Sequence, residues 1–89
     1  MTGEPPRTVP DRASGLRAVV HGHVQGVGFR WATRQRLGAL GLDGAATNLP
    51  DGTVEVVAAG PPTALEELVG WLRDGPTPGR VTGVDVSRS

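Results

Sequence analysis

Gly22-His23-Val24-Gln25-Gly26-Val27-Gly28-Phe29-Arg30 stands where an apolar run stops and a helical pattern begins. Its glycines, at 22, 26 and 28, carry no side chain and accept positive φ, so successive backbone N–H groups can turn inward toward one bound oxyanion. A helix starting near Phe29 adds unpaired N–H groups and the positive end of its dipole. Arg30 adds a planar fork of donors that matches a phosphate. The stretch therefore reads as an anion cradle, with Gln25, Gly26, Val27, Gly28, Phe29 and Arg30 as its phosphate-binding residues. Glycine also turns many strand-to-helix connections that hold no ligand, so the glycines alone leave both readings open. Two nucleotide loops are excluded, because no Gly-Lys-Ser/Thr follows and Gly-x-x-x-Gly-x-Gly is not the dinucleotide spacing.

Working outward from the cradle organises the rest. Upstream, residues 16–21 are apolar over most of their length and read as a strand inside a sheet. Downstream, the pattern predicts a helix over 29–40 that stops at Gly41, with Phe29, Thr33, Leu37 and Leu40 close to one face and Arg34 and Gln35 away from it. Trp31, in the first turn of that helix, is expected to pack rather than to stack on a ligand. Residues 45–49 form a weak strand, Pro50-Asp51-Gly52 a turn, and residues 53–59 a third strand, together a hairpin. A second helix opens on Pro61 or Pro62, with Thr63-x-x-Glu66 shaped like a capping box. It carries the stripe Leu65, Leu68, Val69, Leu72 and ends at Gly75-Pro76. Residues 80–86 make the fourth strand.

Strand, helix, strand, strand, helix, strand is the order of an α+β, ferredoxin-like βαββαβ sandwich, an antiparallel four-stranded sheet with two helices on one face. Right-handed crossovers make the first and second strands parallel, with the third between them. The cradle then lies at the same sheet end as Asn48, two inter-strand steps or about 10 Å away. An arginine, a nest of N–H groups and an amide converge there. Asparagine before a turn is also a common turn former through its own side chain, and that reading stays open for Asn48.

Composition bounds the function. The 89 residues make one domain, assigned to 15–89, with a disordered leader over 1–14 that holds three prolines and little apolar content. There is no cysteine, so disulfides and thiolate metal sites are excluded. Nine arginines balance nine acidic residues, which leaves no overall field to recruit nucleic acid or an anionic membrane. The strands hold no Phe, Trp or Tyr, which argues further against an RNA-binding sheet. His21 and His23 lie two apart on an extended segment, but no third metal ligand is evident, so no metal is expected. The leader lacks the apolar core of a signal peptide, and no run approaches a membrane span. A cytoplasmic, monomeric protein is expected.

The segment Val24-Gln25-Gly26-Val27-Gly28-Phe29-Arg30, followed by Leu40-Gly41-Leu42-x-Gly44, then Asn48-x-x-Asp51-Gly52-x-Val54-Glu55-Val56 and later Gly75-Pro76, resembles the acylphosphatase family in order and spacing over about residues 16–86. The resemblance implies a small hydrolase that cleaves the carboxyl-phosphate bond of acyl phosphates with no cofactor and no metal. Arg30 and Asn48 stand at the positions of the family's catalytic pair. Inorganic phosphate or sulfate is the implied product-like ligand. The chemistry suits these residues, since a carboxylate whose conjugate acid has a pKa near ~4 departs without a general acid, and none is available beside the loop. Arg30 and the loop amides are thereby assigned to charge stabilisation and Asn48 to aiming the attacking water.

Two departures from the family pattern stand out. The family pattern usually has a bulky aromatic and a basic residue after the glycine matching Gly44, where this chain has Ala45-Ala46-Thr47, so thinner packing beneath the site is expected. Relatives also continue into a final short strand, whose loss would leave a sheet edge prone to self-association. The rival reading is a non-catalytic anion-sensing or partner-binding module of the same fold. Hydrolysis of a simple acyl phosphate separates the two.

Overall fold

A computed structural model describes residues 14–88. The chain runs β1 (Ser14–His23), α1 (Phe29–Ala39), β2 (Asp43–Asn48), β3 (Val54–Gly60), α2 (Pro62–Asp74) and β4 (Arg80–Arg88). The leader expected over 1–14 falls outside the described residues except for Ser14, which pairs with Gly60 in the sheet.

The sheet order is β2-β3-β1-β4, and every neighbouring pair is antiparallel, so β1 and β2 run parallel with β3 between them as the crossover rule requires. Alternation decides which face is covered. Leu16, Ala18 and Val20 of β1 lie opposite Ala58, Val56 and Val54 of β3, and all six are buried under the helices. The odd positions face away: Arg17 and Glu55 pair there, and Val57 is exposed. Ala45 sits opposite Val57 and is exposed, whereas Ala46 is buried. Ala45 and Ala46 thus present their small side chains to opposite faces, Ala45 to the open one beside Val57 and Ala46 to the covered one.

Helix α1 buries Phe29, Thr33 and Leu37, four residues apart, on the sheet. Thr33 is fully buried, and its hydroxyl donates to the Phe29 carbonyl at 2.9 Å, so no polar atom of that side chain is left unpaired. The helix ends as expected at Gly41, whose φ of 70° lets Leu42 N–H reach back to Leu37 O (2.9 Å) and Gly41 N–H to Gly38 O (3.1 Å). Both Leu37 and Leu42 are buried at that junction.

Helix α2 buries Leu65, Leu68, Val69 and Leu72, the stripe read from the sequence, and also Trp71. The Trp71 ring stacks on Phe29 with centroids 6.1 Å apart and donates its indole N–H to the Pro76 carbonyl at 3.0 Å. The capping box is not formed. Pro61 is the N-cap and Pro62 the first helical residue, so Thr63 already lies inside the helix, and no side chain caps this end. Glu66 instead pairs with Arg88 of β4 at 3.1 Å. A proline at the first position lacks the N–H that a cap would have satisfied, which is why the two prolines displace the threonine.

Candidate active site

The β1–α1 connection is pinned at both ends by buried apolar side chains, Val24 and Phe29, and is open between them. Gly26 (φ 74°) and Gly28 (φ 87°) sit in the left-handed region with empty space where a Cβ would be, so backbone conformation rather than crowding demands glycine there. Gly22 differs from the cradle role expected for it. A Cβ on Gly22 would lie 2.0 Å from the Arg80 carbonyl, so this glycine lets β4 cross close to β1.

Gly28 is the N-cap of α1 and has no side chain to close the first turn, and that turn holds no acidic residue. Its N–H groups therefore face outward together with the positive end of the helix dipole. Among the described residues, no backbone N–H of Gln25, Gly26, Val27 or Gly28 donates to a turn or loop carbonyl. A cavity of about 150 Å³ lies here, lined by Val24, Gly26, Gly28, Arg30, Trp31 and Arg34 with Phe29. Neither Arg30 nor Arg34 forms an ion pair among the described residues. In a chain of zero formal net charge, this corner carries unneutralised cations beside a helix N-terminus, a local potential that draws an anion.

Asn48 is the last residue of β2. It lies opposite Val54, which in turn lies opposite Val20 near the end of β1, so one line across the sheet joins the two halves of the site. The Gln25 side chain ties them together directly: its Nε2 donates to the carbonyls of Leu49 and Thr53, each at 2.8 Å. The cradle is thus bonded to the turn that begins beside Asn48, although Asn48 does not line the loop cavity.

The turn has its own closure. Thr53 donates its hydroxyl (2.6 Å) and then its backbone N–H (3.0 Å) to Asp51 Oδ1, and these two bonds hold the Asp51 carboxyl below its usual range. Asn48 has no side-chain hydrogen bond among the described residues. The turn-forming part is taken by Asp51, which leaves the Asn48 amide, exposed at the strand end, to meet water or ligand.

Two placements were not foreseen. Trp31, expected to pack, is 65% exposed. Phe29, Thr33 and Leu37 hold the buried face of α1, and a residue two beyond Phe29 points about 200° away from it. Arg34 joins Arg30 on the cavity wall, a neighbour that i, i+4 spacing could have revealed. Of the histidines, His21 pairs with Asp85 at 2.9 Å and His23 is exposed. No group of three or more His, Asp or Glu side chains placed to hold a metal occurs among the described residues.

The family model described as acylphosphatase matches residues 16–89. The chain belongs to the acylphosphatase family. A protein named acylphosphatase from Thermobifida fusca is 67% identical over 69 residues, covering 78% of this chain and 76% of that one. Another of that name from Mycolicibacterium smegmatis is 57% identical over 84 residues, 94% of this chain and 83% of its own. The crystal structure of acylphosphatase from Bacillus subtilis superposes with a TM-score of 0.79 at 36% identity, covering 85% of this chain and 84% of that one. The residues that the family model matches take in the four strands but for the start of β1, both helices and the β1–α1 loop.

Proposed function

We propose that this chain is an acylphosphatase that hydrolyses acyl phosphates to a carboxylate and inorganic phosphate, with Arg30 and Asn48 as its catalytic residues. The observation that carries the reading is the unpaired Arg30 guanidinium beside an uncapped helix N-terminus, with the free Asn48 amide at the same sheet end. Arg30 and the backbone N–H groups of residues 25–30 hold the phosphoryl oxygens and stabilise the charge that grows on them. Asn48 orients a water in line with the scissile bond. The water oxygen bonds to phosphorus, the bond from phosphorus to the acyl oxygen breaks, and the carboxylate leaves with that electron pair. The water's proton passes to a phosphate oxygen, so no side chain needs to act as an acid. Phosphoryl transfer through a loose transition state suits so small a set of groups.

This reading includes a cytoplasmic monomer acting on small molecules. No helix among the described residues is long and apolar enough to cross a membrane. The test is hydrolysis of acetyl phosphate in EDTA by the wild type and three variants. Arg30→Ala should lose phosphate inhibition and turnover together, and Arg30→Lys should restore little, because a point charge cannot reproduce the fork. Asn48→Ala should lower kcat by on the order of 10² while phosphate still inhibits. A fully active Asn48→Ala protein removes Asn48 from the mechanism. An inert wild type favours the anion-sensing alternative.

A further inference from the structure

Helix α1 breaks a local rule in its first two turns. Cations are unfavourable near a helix N-terminus, yet Arg30 stands in the first turn and Arg34 one turn further on, with Arg36 beyond, and the helix holds no acidic residue. The three arginines are not alike. The Arg36 guanidinium is half-buried and lies over the Trp71 ring, 5.1 Å from its centroid. Arg30 and Arg34 are exposed, and among the described residues neither has an ion pair or a side-chain hydrogen bond. Both border the same cavity of about 150 Å³. Side chains on a helix tilt back toward its N-terminus, so one carried a turn further in lies over the first turn, where the cradle N–H groups open. Like charges four residues apart repel, and this pair is unfavourable until an anion joins it.

We propose that Arg34 is a second anion-binding residue of the site, a partner to Arg30 that captures the substrate phosphoryl group and holds the phosphate product without contributing to the chemical step. The inference rests on the acyl-phosphate reading and adds a residue to it. The division of labour follows from position. Arg30 comes directly after the loop and offers its fork, with the loop N–H groups, to the oxygens on which charge grows. Arg34 acts from the second turn, open to solvent, so its field falls on the bound anion about equally before and at the transition state. Binding of that uniform kind lowers KM and leaves kcat alone. In a chain of zero formal net charge, an unneutralised cation at the mouth of the cavity also draws anions in from solution, an effect that salt weakens.

The experiment uses the purified protein as wild type, Arg34→Ala, Arg34→Lys and Arg88→Ala, the last removing the same charge where β4 ends beside the start of β1, at the far end of the sheet from the cradle. For each, acetyl phosphate kinetics are measured at low and high salt, the Kd of inorganic phosphate by calorimetry, and Tm with and without phosphate. Arg34→Ala should raise KM and the phosphate Kd about fivefold to tenfold, with kcat within about twofold of wild type and the difference in KM shrinking at high salt. Its Tm without phosphate should hold or rise by about 1–2 °C, because a like-charge pair is gone, while the gain in Tm on adding phosphate falls. Arg34→Lys should keep most of the binding, since the role asks for a charge and not for a fork. Unchanged KM and Kd in Arg34→Ala would overturn the inference. So would a fall in kcat at constant KM, a lower Tm without phosphate, an Arg34→Lys protein as weak as Arg34→Ala, or an equal loss in Arg88→Ala. A wild type that binds phosphate but leaves acetyl phosphate intact fails the acyl-phosphate reading alone, since the phosphate Kd still reports on Arg34; a wild type that turns acetyl phosphate over, with Arg34→Ala indistinguishable from it, confines the failure to Arg34.

Discussion

Replacing Gln25 by alanine tests whether the two halves of the site are held in register by one side chain. The amide donates two hydrogen bonds of 2.8 Å, to Leu49 O and Thr53 O. Each acceptor has a second donor: Leu49 O also takes the Gly52 N–H at 3.1 Å, and Thr53 O the Leu49 N–H at 2.9 Å. Neither carbonyl is orphaned by the substitution, so the loss is the net worth of two bonds, about 2 kcal/mol, without an added desolvation penalty. For a domain of this size that lowers Tm by about 10 °C. Activity should fall further than stability explains, because a drift of ~1 Å between the phosphate cradle and Asn48 costs on the order of 10² in kcat. Gln25→Glu should be worse than alanine, since it turns carboxylate oxygens toward two carbonyl oxygens. Calorimetry and acetyl phosphate kinetics at a temperature where every variant is folded make the measurement. A Gln25→Ala protein with wild-type kcat, whatever its Tm, would refute the idea that this side chain aligns the site.

The turn beside Asn48 gives a pH signature. The Asp51 carboxyl titrates below its ordinary value of 3.8, so its stabilising contribution is present above that value and is lost as pH falls through the lower, folded one. Differential scanning fluorimetry should find the wild type ahead of Asp51→Asn above pH ~5 and the gap closing on acidification; a gap constant down to pH ~2 would remove Asp51 from the acid response. In the core, Leu68 is fully buried under the sheet, so Leu68→Ala should cost about 2–5 kcal/mol, enough to unfold much of so small a domain near body temperature. Circular dichroism melts check it, and a loss below ~1 kcal/mol would mean that the neighbouring side chains collapse into the gap.

Elements whose cause is local were the ones the sequence displayed. The apolar run at 16–21, the spacing of Phe29, Thr33 and Leu37, and the stop at Gly41 each follow from a few adjacent residues and are present in the structure, whereas the one-sided burial of Leu16, Ala18 and Val20 emerges only from the fold. The weak strand expected at 45–49 instead spans Asp43–Asn48, because pairing with β3, not the propensity of Gly44 and Ala45, sets where an edge strand starts. The cradle was legible because its glycines and Arg30 are contiguous. Its bond to the distant turn was not, since nothing in the neighbourhood of Gln25 announces partners 24 and 28 residues away. Trp31 was misplaced for a related reason: hydrophobicity argued for burial, while the helical angle from Phe29, which turns it outward, was the better guide.

The five residues between Asn48 and Val54 have a bearing on how this chain can vary. Side chains on a strand alternate, so a slip of β2 by one position against β3 would present Thr47 or Leu49 where the amide belongs and send Asn48 to the opposite side of the sheet. What prevents the slip is the closed Asp51–Thr53 turn and the Leu49 N–H to Thr53 O bond at its base. The length of this turn is thus under the same constraint as a catalytic side chain. A single inserted or deleted residue there should abolish activity and, because the same slip turns Ala46 out of the core, should lower Tm as well.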